Sequence, residues 1–174
     1  FGAIEDLLET VRRAPALTIA VVRGAAFGAG ADLVASCDYR IGTCNARFAF
    51  PGSRFGVVLG TRHLATLVGR QRALEILIEG QTLDADEAIA CGLLSSLCED
   101  KRALADRVEE ILRGSESVDS TTLRALLRLV RDTPSEQDRV ELLRSTWREG
   151  LATRIGNHAQ RIRDERTARK TQRL

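Results

Sequence analysis

The sequence has no methionine anywhere in its 174 residues. With no initiator, and with an opening FGAIEDLLETVRRAP whose apolar positions already keep helical spacing, the chain reads as a piece of a longer polypeptide. No apolar run approaches the roughly 20 residues of a membrane span, and no signal-peptide pattern opens the chain. Cys37, Cys44, Cys91 and Cys98 lack C-x-x-C spacing. That weighs against zinc, a redox dithiol or a disulfide framework, and points to free thiols in a reducing, cytoplasmic setting. Charge of one sign is also missing. Lys+Arg number 26 and Asp+Glu 24, and a net +2 is too small to argue for nucleic acid as the main partner. The imbalance is local, because residues 161–174 carry +4 and the rest −2. Such a tail reads as a solvated helix or a frayed end. No repeat or low-complexity linker interrupts the chain.

What is present is ordinary for a globular protein with one substantial core: 44% hydrophobic residues and 29% charged. Ile4, Leu7, Leu8 and Val11 predict a helix that Pro15 ends. ALTIAVVRG predicts a short strand covered on both faces. GAGADLVASCD predicts a helix opened by glycines, and YRIGT and ARFAF two further strands, followed by a loop over PGSRFGVVLGT. Helical spacing runs from His63 to Ile78 with a break at Gly69 and a stop at Gly80. Asp84 with Glu87 forms a capping-box pattern, and Gly92 supplies the next stop. LLSSLC is one more strand. Helices are expected over 100–113, closed by Gly114, then 120–131, 135–149 and 151–165. A mixed α/β front half thus precedes an all-helical back half.

The glycine-rich turn RGAAFGAGADL lacks the Lys-Ser/Thr of a phosphate loop and the third glycine of a dinucleotide fingerprint. Two readings remain. The turn either lets a helix pack tightly on its strand, or presents free N–H groups at a helix start to a developing oxyanion. Asp32, in the first turn of that helix, is likewise either a residue favoured by the dipole or an acid–base group.

The segment PALTIAVVRGAAFGAGADLVASCDYRIGTCNARFAFP resembles the central signature of the crotonase (enoyl-CoA hydratase/isomerase) superfamily, P-x-x-A-x-x-x-G-x-x-x-G-G-G-x-E-L-x-x-x-C-D. Pro15, Ala20, Gly24, Gly28, Gly30, Leu33, Cys37 and Asp38 fall in register. LATLVGRQRALEILIEGQTLDADEAIACGLLSSL is similar to a second family segment, so the likeness runs from Pro15 to Leu97. It implies an α/β crotonase-like ββα spiral core over 1–114, its early portion lying upstream of the chain, and a helical oligomerisation region over 115–174. It further implies an acyl-CoA substrate, no cofactor beyond the coenzyme A of that substrate, no metal, no membrane or nucleic-acid partner, and a homotrimer or hexamer.

For the site, the resemblance makes Ala29 the oxyanion donor, in place of the family's middle glycine, and Asp32 the first acid–base carboxylate. Ala26, Phe27, Gly28, Gly30, Pro51, Gly52 and Phe55 are expected to contact the substrate. The second donor would come from a loop upstream of Phe1. Two departures matter. Asp32 is one methylene shorter than the family's glutamate, a displacement of about 1 Å that catalysis feels. Gly52 stands where hydratases of the family carry their second glutamate, and glycine cannot transfer a proton. Ser53 and Arg54 beside it are poor substitutes, and Val57, Val58 and Leu59 hold no acid where some relatives place one. His63 and His158 rank as surface, capping or interface residues ahead of catalytic ones, and Trp147 as a packing anchor. An active hydratase or isomerase, of the type found in fatty-acid metabolism, and a non-catalytic acyl-CoA-binding or assembly subunit both remain open.

Overall fold

The structure is a computed structural model. It describes residues 2–55, 59–131, 149–150, 153, 156–157, 160 and 163–164, with the side chain of Phe55 outside that set. The chain divides into two compact units, Phe1–Arg131 and Asp132–Leu174.

In the first unit, α1 spans Gly2–Arg12 and ends before Pro15. β1 (Ile19–Val22), β2 (Ala25–Phe27), α2 (Ala29–Ala35), β3 (Tyr39–Thr43) and β4 (Arg47–Ala49) follow. A 3₁₀ turn at Pro51–Phe55 leads to α3 (Thr61–Val68) and α4 (Arg70–Leu74), which runs into a π turn at Glu75–Glu79. β5 (Thr82–Leu83), α5 (Ala85–Ala90), β6 (Ser96–Cys98), α6 (Lys101–Glu116) and α7 (Ser120–Arg131) complete the unit. Among the described residues no helix is long and apolar enough to cross a membrane.

The strands form two three-stranded sheets. One, ordered β1-β3-β6, is parallel throughout, with Ile19 opposite Tyr39 and Ile41 opposite Ser96. The other, β2-β4-β5, is parallel between β2 and β4 and antiparallel between β4 and β5, with Phe48 opposite both Ala26 and Leu83. The turn expected after β1 therefore contains a strand. Three residues carry no readable period, so β2 exists because Arg47–Ala49 offers it a ladder. β1 is also less covered than expected, since Val21 is 44% exposed.

The main core packs Ala31 and Val34 of α2 against Phe48, Leu64, Ile76, Leu83, Leu93 and Leu94. A smaller cluster joins Ile41 and Cys98 to Ile111 of α6. Local signals are honoured at several ends. Asp84 and Glu87 exchange both capping-box bonds at 2.9 Å, and Gly80 and Gly92 take the left-handed conformation. Gly114 does not close its helix; α6 continues to Glu116. A mid-helix glycine costs about 1 kcal/mol against alanine but does not by itself stop a helix.

In the second unit the described residues Thr153, Gly156, Asn157, Gln160, Arg163 and Asp164 are helical, and Gln160 donates to Asp164 at 2.9 Å. Of the helix expected over 135–149 only Glu149 is described, and it lies in a turn; residues 135–148, with Trp147, and also His158 and most of the basic tail lie outside the described residues.

Candidate active site

Two backbone devices build the site. Gly28 ends β2 with its N–H on the Ala49 carbonyl (2.9 Å), then turns at φ 55°, ψ −128° to cap α2 without any side-chain bond. Only glycine adopts that conformation cheaply. Its own carbonyl accepts from Ala31 (2.8 Å) and Asp32 (3.0 Å), so the first helical amide, Ala29, is left over. Among the described residues nothing accepts from it.

The second device is Gly60, the left-handed N-cap of α3 at φ 61°. Its backbone lies so close to Asp32 that a Cβ there would run into Oδ1 and Cγ. Asp32 is 5% exposed, and no described residue hydrogen-bonds its carboxylate. Burial, with a further push from Glu5 of α1, raises its pKa to about 7.

A cavity of about 310 Å³ opens between these devices. Gly28, Ala29 and Asp32 form one wall and Pro51, Gly52 and Ser53 another. Leu59 and Thr61 lie at the start of α3, and the remaining surface is apolar: Ile4, Phe50, Leu74, Leu77 and Ile78. Ala29, whose amide has no acceptor among the described residues, and the Asp32 carboxyl thus line one hydrophobic hollow, an arrangement suited to polarising a carbonyl and moving a neighbouring proton.

A family model described as enoyl-CoA hydratase/isomerase matches residues 2–145. The chain belongs to the enoyl-CoA hydratase/isomerase family. Human enoyl-CoA hydratase domain-containing protein 3, mitochondrial, is 35% identical over 122 residues, 69% of this chain and 39% of that protein. The short-chain-enoyl-CoA hydratase of Clostridium acetobutylicum is 39% identical over 84 residues, 47% of this chain and 32% of its own length. An enoyl-CoA hydratase/carnithine racemase structure from Magnetospirillum magneticum superposes with TM-score 0.71 at 29% identity, over 88% of this chain and 60% of that one. The fold is therefore the crotonase fold. The chain spans half or less of the curated relatives' own length.

Of the residues the crotonase resemblance singled out, Gly28, Ala29, Asp32, Pro51 and Gly52 meet at the cavity. Three do not line it. Ala26 packs against the core, Phe27 is 52% exposed on β2, and Gly30 is exposed on α2. Phe55's side chain lies outside the described residues. Ser53 donates to the Leu77 carbonyl at 2.5 Å and Arg54 to that of Glu79 at 3.1 Å. These bonds tie the 3₁₀ turn to the π turn and leave neither side chain free for proton transfer.

His63 faces elsewhere. It is buried on α3, its Nδ1 is 2.5 Å from Arg12 Nη1, and it lines a separate hollow of about 540 Å³ beneath α7. Burial and then the Arg12 charge lower its pKa, which favours the neutral imidazole. Sequence reading missed Gly60, Thr61 and the π turn. A glycine just before an amphipathic helix hints at an N-cap, but nothing local says that it faces Asp32.

Proposed function

We propose that this chain handles acyl-CoA thioesters, with the Ala29 amide stabilising an enolate and Asp32 serving as the single acid–base group. One observation carries the reading. Asp32, buried and with its pKa raised to about 7, shares an apolar cavity with a helix-start amide that has no acceptor among the described residues. A carboxyl half-ionised at neutrality can both take and return a proton, and one oxyanion donor contributes about 10²–10³ in rate.

Asp32 is the one titratable side chain among the described residues on the cavity wall. That favours a double-bond shift over hydration. In the shift, Asp32 takes a proton from C2 of a 3-enoyl thioester and the electron pair moves to the carbonyl oxygen at Ala29. The same proton then returns at C4 to give the 2-enoyl product, so no second acid is needed. Hydration ordinarily uses a pair of groups to activate water and protonate carbon.

The test is turnover of 3-enoyl-CoA and of crotonyl-CoA by the full chain and by Asp32→Asn. The reading expects isomerisation exceeding hydration, and loss of both in the variant. Gly52 supports a second reading, a non-catalytic acyl-CoA-binding or assembly subunit; tight coenzyme A thioester binding with no turnover across acyl lengths would establish it. Homotrimers or hexamers and a cytoplasmic role in fatty-acid metabolism belong to the same proposal, although the human relative's name places that protein in mitochondria. Light scattering and fractionation test them.

A further inference from the structure

We propose that Thr61 is a positioning residue for Asp32: its hydroxyl turns into the cavity and donates a hydrogen bond to the carboxylate. The inference rests on the single-acid reading and deepens it, because it supplies a second polar group where Gly52 leaves none.

Three side chains with polar ends line the cavity among the described residues: Asp32, Ser53 and Thr61. Ser53 is committed to the Leu77 carbonyl. Thr61 is not. Among the described residues its Oγ1 meets only the Leu59 carbonyl, at 3.4 Å, a length at which little bonding energy is at stake. No described residue donates to the Asp32 carboxylate, which is costly to ionise away from water, and the Gly60 backbone against it brings Thr61, the next residue, alongside. Threonine in a helix divides between two χ1 wells, so one rotation exchanges a long contact for a charge-assisted one.

The effect has a sign. A donor favours the ionised carboxylate and works against burial. The groups on elements packed against α2 do not mask it. Glu5 of α1 pushes the pKa upward; on α3, Arg62 is exposed and His63 is engaged by Arg12; β2, Ala25–Phe27, carries no charge. The start of α3 acts in the same direction as the hydroxyl.

The experiment is a carbon-13 carboxyl titration of the full chain with labelled aspartate, the Asp32 signal being the one that Asp32→Asn removes. Thr61→Val keeps the shape and deletes the donor. It is expected to raise the Asp32 midpoint by about half a unit or more, roughly threefold in the proton equilibrium, with Thr61→Ser restoring it. Thr61→Ala repeats the test should valine disturb the helix start. Where turnover is measured, the acid limb of kcat/KM moves with the midpoint and KM stays level. A midpoint unchanged in both Thr61→Val and Thr61→Ala overturns the inference. Failure of the single-acid reading shows separately, as turnover retained in Asp32→Asn or absent from the full chain.

Discussion

Arg131, the last residue of α7, closes a two-pronged ion pair on Asp38, Nε to Oδ1 at 2.7 Å and Nη2 to Oδ2 at 2.5 Å. The same carboxylate accepts the Thr18 amide and hydroxyl, both at 2.8 Å, and Arg131 also donates to the carbonyls of Ala14 and Ala16. The pair thus fastens α7 to the start of β1 and the entrance of β3. Burial alone would raise the Asp38 pKa, but the bonds from Arg131 and Thr18 outweigh it and hold it below the usual carboxylate range. Both side chains are largely buried, at 11% and 15% exposure, so removing one partner strands the other. Arg131→Ala is expected to cost about 3 kcal/mol in chemical denaturation. Because the folded pKa is depressed, this stability is present above the unfolded carboxyl pKa and lost as pH falls through the folded value. A loss below about 1 kcal/mol would mean the pair behaves as an exposed one.

Asp32 has the opposite sign. Its folded pKa of about 7 lies above the ordinary aspartate value of 3.8, so between these values the folded chain binds more protons than the unfolded one. Stability therefore falls as pH rises from about 4 to about 7 and levels off above. Asp32→Asn is expected to flatten that slope and to be the more stable protein at pH 8, by about 2 kcal/mol or more at 1.36 kcal/mol per unit. Melting temperatures of both proteins from pH 5 to pH 8 check this. Parallel curves would place the carboxyl in water.

Gly60 carries the positive φ and the close approach to Asp32 together. Gly60→Ala is expected to cost about 1–2 kcal/mol through left-handed strain and, by displacing the carboxylate, about 10²-fold in turnover. The two losses separate at low temperature, where a folded but slow variant is the expected outcome. Full activity in a folded Gly60→Ala would show that Asp32 has room to spare.

Gly52 tests the chemistry from the other side. It lies on the cavity wall at an ordinary φ that any residue can adopt. Gly52→Glu restores a second carboxylate opposite Asp32 and is expected to raise hydration of crotonyl-CoA relative to the double-bond shift, by about 10-fold or more, within the range of one positioned acid–base group. An unchanged product ratio would mean that the two acids do not reach a common water.

Much of this protein was settled by local chemistry. The apolar period of α1, the two-residue capping exchange of Asp84 and Glu87, the left-handed stops at Gly80 and Gly92, and the limits of α7 are decided within a turn or two of chain, so they can be read in order. The crotonase resemblance singled out Gly28, Ala29, Asp32, Pro51 and Gly52, and all five line one cavity. Partners distant in sequence decided the rest. β2 and β5, three and two residues long, are strands only because β4 lies between them. α6 runs through Gly114, against a local stop signal. Gly60 and Thr61 enter the site because packing of α2 on α3 brings them to a carboxylate whose burial fixes its proton affinity. Desolvation depends on every atom around a group, and that is a property no stretch of sequence carries alone.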